Sequence, residues 1–559
     1  MSSDKKKFEL DRRTLLKNIL VGTGVVASTP FDMFLTNMMV NFLQAGTAHA
    51  AGENPAFQDF KYISLVLAGG APRYYWDLPI QPNGNDAIVA NPMVVNKFVN
   101  SNGNISAEYA TAKVGSYYMP HVWSGNLATT AGVAPMSLLG QNMMIMRGLD
   151  LQIDSHPIDR ERQVAPVPGG ISLSGLVADH ASTPIPAVGR GGGGGYYRGE
   201  KGVAYVELAG TNPLTVALSP FSPIGSMKTI NNGQVEMAID NALKRMSALS
   251  ADKNKFLPST FATRFNAKKM MMKSFGNLQA TYTSLVTKYT GLINRSFEAQ
   301  GGLSLQGVDN IAVPALGTGP FRVTEGEYLT GDDIRTLTDI KTTIVELAES
   351  MAVAEFMITQ GLSSSVNVVA SDFNNVFYQS AYNPTSKVTR TSVRGRHGMD
   401  VHFTGSYAAV VLFSRYYRAV SSCLYELIAQ LKSVQTGYGQ NLFDRTVMTV
   451  TSEFNRIPRV DGSGADHGWQ GSNFTLLSGM VNNLTVVGNV KTNVGNRGTW
   501  GLAGPLDELN GREAIIGNAA STVSALVEVQ TPTPNDQSFV YKDSKGKAQL
   551  SIKSLKNVA

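Results

Sequence analysis

Short apolar runs that stop at glycine recur along this chain of 559 residues, and they limit its fold more than any other feature. "KYISLVLAGG" (61–70) is the clearest of them. It is too short for a helix of ordinary length, β-branched at Ile63 and Val66, and closed by a glycine pair, so it reads as a buried strand ending in a tight turn. "NMMIMRGL", "VAYVEL" (203–208), "SSSVNVVAS" (363–371), "RTVMTVTSEF" (445–454), "NFTLLSG" and "NLTVVGNV" repeat the pattern. Between them lie stretches with apolar residues three to four apart: "QVEMAIDNALKRMSAL", about 261–297, about 332–360, and the strongly apolar 406–431. Strands alternating with helices predict an α/β fold, a mainly parallel central sheet flanked by helices. The block from about 234 to 360 reads as a helical insertion or cap within one domain spanning 51–530, and the polar stretch 531–559 as a C-terminal tail. The tract "GRGGGGGYYRGEKG" (189–202) reads as a surface loop; it lacks the strand-then-helix setting of a dinucleotide fingerprint.

In an open parallel sheet, ligands collect outside the carboxyl ends of the strands. Three polar clusters are predicted to lie there. "GRHGMDVHFTG" (395–405) places His397, Asp400 and His402 in six residues, in a chain with only seven histidines. "TSEFNR" (451–456) follows the strand "RTVMTV" and brings Glu453 and Arg456. "GADHGWQG" (464–471) precedes another strand and brings Asp466 and His467. Carboxylates and imidazoles without thiols suit a divalent ion, with Zn, Mn, Fe, Mg and Ca all open. Each residue also has a plain structural role open to it. The histidines can hold loop carbonyls, Asp466 can close an Asx turn, and Glu453 can pair with Arg456 or Arg445. His121 and His180 read as structural.

Composition narrows the field. The net charge of +6 comes without a basic stripe interleaved with aromatics, so no nucleic-acid partner is expected. The single cysteine, Cys423, excludes an intrachain disulfide and a thiolate metal site, and its apolar helical setting predicts a buried thiol. The N-terminus reads as an address. Arg12 and Arg13 precede a weakly apolar run, and Ala48-His49-Ala50 offers a small-x-small cleavage site, so 1–50 resembles a twin-arginine signal. The expected partner is the twin-arginine export machinery, and the expected location periplasmic or secreted, with membrane anchoring if the signal stays uncleaved. No later segment reaches the ~18 apolar residues of a further membrane span.

Taken in order, the twin arginines, the "LVL-x-GG" strand, "SH", "D-x-H", "SEF-x-R" and "DHG" resemble the bacterial DUF1501 branch of the alkaline phosphatase/sulfatase superfamily. The resemblance covers about residues 60 to 490, and "TSEFNR…GADHGWQG" is its most specific part. It implies an alkaline phosphatase-like sheet and metal-assisted phosphoryl or sulfuryl transfer, in which two ions clamp the attacking and leaving oxygens. Carried onto this chain, Asp400, His402 and His467, with Asp466 beside them, would bind one ion, and Glu453 would belong to the other. Ser155 would lie near the nucleophile position with His156 beside it, and Arg456 would bind a substrate oxyanion. The chain departs from the pattern twice. Pro72 and Arg73 stand where an aspartate commonly follows the "GG", with Asp77 further on, and Phe454 stands where phosphatases place a histidine. The second metal site is therefore expected to be degenerate. Two function classes follow: an exported hydrolase of an anionic phosphate or sulfate ester, small molecule or polymer, and a non-catalytic periplasmic binding or envelope-assembly protein on the same scaffold.

Overall fold

The computed structural model describes residues 59–84, 91–101, 104–183, 185–192, 197–200, 205–208, 279–296, 322–324, 327–328, 343–344, 346–380, 392–436, 439–491 and 501–558. All of them belong to one compact unit, Ala48–Ser219 with Lys269–Ala559. The expected signal at 1–50, the helical pattern at 234–249 and the middle of the glycine tract lie outside the described residues. Of the expected helical insertion, the described parts include a helix over 279–296 and a second helix that packs on the sheet.

The strands that build the sheet and the site are, in chain order, β1 (Lys61–Leu67), β2 (Met143–Asp150), β3 (Ala187–Gly189), β4 (Tyr205–Glu207), β5 (Ser365–Ala370), β6 (Thr446–Ser452), β7 (Asn455–Pro458), β8 (Ala465–Gly468), β9 (Ser472–Leu477), β10 (Thr485–Val487), β11 (Pro505–Leu506) and β12 (Arg512–Ile515). The central sheet runs β4-β3-β5-β1-β6-β9-β2-β12-β11, and β10 also pairs with β2. β1 lies between β5 and β6, parallel to both, with Ile63 opposite Val366 and Met448. Every residue of β1 is buried, which is why apolar residues such as Ile63, Leu65, Val66 and Leu67 fall on both of its faces instead of alternating with exposed ones.

The sheet is mixed: six of its nine strand pairings are parallel and three are antiparallel. β9 runs antiparallel to both of its neighbours, β6 and β2, and β11 is antiparallel to β12. The reason lies in the connection. After β6 the chain makes a hairpin of β7 and β8 outside the sheet, then turns straight back into β9.

Helices flank the sheet. They are α1 (His156–Val164), α2 (Leu173–Ala178), α3 (Leu347–Thr359), α4 (Ser406–Ser433) and α5 (Ile516–Val527). Leu173 and Val177 of α2 and Ile516, Ala519, Ala520 and Val523 of α5 share one apolar cluster with Tyr62, Met144, Met146, Val447 and Phe474 of the sheet. α3 is tied to β5 by a hydrogen bond from Ser350 Oγ to the Val369 carbonyl, 2.7 Å. α4 stacks Tyr417 on Trp76 and Phe413 on Tyr75, in the segment that follows β1. Cys423 of α4 is buried, as its surroundings in the sequence predict.

The C-terminal stretch is not a free tail. Phe539 and Ile552 are fully buried in the cluster beneath α5, and Val540–Lys542 pairs with Ala548–Leu550. A few well-placed apolar residues anchor a segment whose composition is otherwise polar. Among the described residues, no helix is long and apolar enough to cross a membrane.

Candidate metal centre

The carboxyl ends of β1, β2 and β6 share one rim of the sheet, and the polar clusters gather there. β1 is followed by a turn at Gly69 and Gly70, with φ of +86° and +69°. A Cβ on Gly70 would stand 2.6 Å from the Phe454 ring, so this turn needs glycine for its backbone and for the space. β2 runs through Asp150 and a short loop to α1, whose first residue is His156; Ser155 precedes it, and the Ser155 N–H donates to Asp159 Oδ2 at 3.0 Å. β6 is followed by Glu453 and Phe454, then by β7 with Arg456, and β8 brings back Asp466 and His467. Asp400 and His402 come from the loop before α4. That loop packs so tightly on the turn between β7 and β8 that a Cβ on Gly464 would stand 1.9 Å from the His402 carbonyl oxygen.

Three imidazoles converge. One ring nitrogen from each of His156, His402 and His467 lies within 4.8 Å of the others, a group able to hold a metal ion. His402 Nε2 and His467 Nε2 are 2.8 Å apart. That is within about half an ångström of the separation of two nitrogens sharing a tetrahedral ion at about 2.0–2.1 Å. Asp400 leans over the same point, with Oδ2 3.5 Å from His156 Nε2 and Oδ1 3.7 Å from His402 Nε2. The three ring contacts and the carboxylate supply a borderline N/O donor set of the kind that binds zinc and related ions.

The outward sides of the rings meet carboxylates. His156 Nδ1 lies 2.5 Å from Glu453 Oε2, His467 Nδ1 is hydrogen-bonded to Asp154 Oδ1, and His402 Nδ1 is 3.9 Å from Asp466 Oδ1. The hydrogen bond to Glu453 raises the pKa of His156, against the opposing effect of burial. Burial, reinforced by the charge of Arg456, lowers that of His402; burial also lowers that of His467, outweighing Asp154. Both are thus held in the neutral form that donates to a metal. Burial alone would raise the Asp400 carboxyl, but Arg456, His402 and His156 together bring it below the ordinary value.

The other expected site residues take different places. Arg456 is fully buried and its fork is occupied. Nε donates to the Gly70 carbonyl at 2.9 Å, and Nη2 donates to the Gly69 carbonyl at 2.7 Å and to Asp400 Oδ1 at 2.8 Å. It braces the turn after β1 and holds Asp400, in place of the substrate-clamping role that the resemblance implies. Asp466 accepts from Arg459 Nη2 at 2.9 Å and from Nε at 3.2 Å. No described residue is hydrogen-bonded to the Ser155 hydroxyl. Phe454 packs its ring on His467, centroids 4.1 Å apart, and on His156 at 4.7 Å, so a phenyl group lies beside the imidazoles. Asp77 is held by other partners. It forms a fully buried ion pair with Arg73, and Asn473 donates to it at 2.9 Å. His180 donates from Nδ1 to the Leu176 carbonyl at 3.0 Å, a structural role as expected; the side chain of His397 lies outside what is described.

Two things escape the sequence reading. His156 is placed there beside a nucleophile, whereas here it is the third imidazole of the cluster. Asp154 is passed over, although "DSH" sets a carboxylate two residues from that histidine. No family model matches the chain, and no curated protein or solved structure shows significant similarity to it.

Proposed function

We propose that the protein is a hydrolase of an anionic ester, phosphate or sulfate, that works with one divalent metal ion. His156, His402 and His467 would hold the ion, and Asp400 would stand at its open side. The observation that carries this reading is the convergence of three imidazoles from three separate segments at the carboxyl rim of the sheet. A bound ion supplies Lewis acidity to an ester oxygen and to water. Asp400, kept ionised and half-exposed, accepts a proton from the attacking water, and Arg456 fixes its carboxylate for that task. Among the described residues no base is bonded to the Ser155 hydroxyl, which favours water over serine as the nucleophile. The reading also includes an alkaline phosphatase-like ancestry of the DUF1501 type and export by the twin-arginine route. Both rest on the sequence motifs.

A second reading, a non-catalytic binding or envelope-assembly protein, draws on the Arg456–Asp400 pair and on Phe454, which together fill the sides of the cluster. Elemental analysis decides between them. Protein exported through its own signal is compared with a His402→Ala/His467→Ala variant after loose ions are removed. Near-stoichiometric metal in the first and none in the second, with both folded, is expected. Hydrolysis of p-nitrophenyl phosphate or sulfate should then follow the metal. A folded wild-type protein that carries no metal and takes none up refutes the hydrolase reading.

A further inference from the structure

A neutral imidazole carries one N–H, and the partner of that N–H decides which nitrogen keeps its lone pair. In the cluster, His402 and His467 turn their Nε2 atoms toward each other, and Asp400 approaches His156 and His402 on Nε2. The Nδ1 atoms face outward. Two of them meet a carboxylate at hydrogen-bond distance, Glu453 on His156 and Asp154 on His467. Among the described residues His402 has no such partner, because 3.9 Å to Asp466 is beyond a hydrogen bond and Asp466 is engaged by Arg459.

From this arrangement we infer that Asp154 and Glu453 are positioning residues. Each accepts the Nδ1–H of its histidine, fixes the tautomer and the ring orientation, and so presents Nε2 to the ion. The inference rests on the metal reading above and gives Glu453 a new place, behind a ligand instead of on a second ion. Asp154 carries it most cleanly. Its side chain is half-exposed, and among the described residues its carboxylate is hydrogen-bonded to His467 alone. Glu453 is buried, so its removal disturbs packing as well as His156. Asp154 also lies two residues before His156, so a single short loop delivers one ligand and orients another.

The test is zinc affinity of the full chain, measured by competition with a chromophoric chelator at pH 7.5. Asp154→Ala is expected to weaken zinc binding roughly 10- to 100-fold. Asp154→Asn, which keeps an acceptor oxygen of the same reach, should recover part of that loss. The urea midpoint of the zinc-free protein should stay the same in all three forms, because a half-exposed pair contributes little to folding. An Asp154→Ala protein that binds zinc within about twofold of wild type overturns the inference. So does a loss of affinity that merely tracks a smaller folded fraction. A wild-type protein that binds no zinc or other divalent ion overturns the metal reading itself, and that result appears before any variant is made.

Discussion

Replacing Arg456 with methionine should cost about 3 kcal/mol of folding free energy, most of it from two backbone carbonyls. The guanidinium is fully buried and donates to Gly69 and Gly70 at 2.7 and 2.9 Å. Methionine fills much of the volume but donates nothing, which leaves two acceptors in a tight turn that φ of +86° and +69° prevents from rearranging cheaply. An orphaned buried acceptor costs about 1–3 kcal/mol, and relief of the guanidinium's own desolvation offsets part of the loss, which brings the two acceptors together to about 3 kcal/mol. The ion pair to Asp400 adds little, because that carboxylate is 49 % exposed and regains water when the arginine goes. Urea unfolding in the presence of a chelator, followed by tryptophan fluorescence, measures the change. Arg456→Lys should fall between wild type and Arg456→Met, since one ammonium group cannot reach both carbonyls and Asp400 in the same geometry. A loss below about 1 kcal/mol for Arg456→Met would refute the view that this residue braces the rim. It would return the arginine to a role in binding substrate.

Two more outcomes follow. Asp77→Asn leaves the Arg73 guanidinium buried without its counter-charge, so stability should fall by about 3–5 kcal/mol while the folded fraction binds metal as wild type does; a selective loss of metal would put Asp77 back in the site. Zinc affinity should fall as pH is lowered, beginning above the ordinary histidine value of 6.5, because Glu453 raises His156 while His402 and His467 are already neutral. In the zinc-free protein the three histidines act in opposite directions: His156, with its raised value, lends stability that is lost as pH rises, whereas His402 and His467, with lowered values, cost stability as pH falls below about 6.5. Chelator competition between pH 6 and 8 checks the affinity, and a flat affinity over that range would contradict the assignment of His156 as a ligand.

Much of the sheet can be read directly from the sequence, because strands buried on both faces are short, β-branched and rich in apolar residues on both faces, as β1, β5 and β6 show. Their direction cannot. "NFTLLSG" carries no mark of running against its neighbours, and the orientation of β9 depends on where the hairpin before it returns the chain. The rim position of Asp400, His402, Glu453 and His467 follows from strand–loop order, and the structure brings these residues together. The partnerships within the cluster do not follow, since His156 meets Glu453 across 297 positions and His467 meets Asp154 across 313. The Arg73–Asp77 pair is four residues apart, yet only its complete burial shows it to be a core element and no part of the site. The C-terminal stretch misleads for a similar reason: its polar average hides Phe539 and Ile552, each of which fills a place in the core.

The reversed strand β9 also gives the molecule a separable part. Everything from Glu453 to Gly471 leaves the sheet and rejoins it on one side, between two strands that are hydrogen-bonded neighbours. A parallel return would have forced this stretch to cross to the far edge and back. As built, it is a cassette with both stems side by side, so it can be exchanged as one piece without rethreading the core, as long as its turn keeps a glycine at 464 against the His402 loop. Three side chains of the cluster, Glu453, Arg456 and His467, travel on that cassette, whereas His156, Asp400 and His402 stay with the frame. Changes in chemistry on this scaffold can therefore come from replacing one contiguous piece of chain.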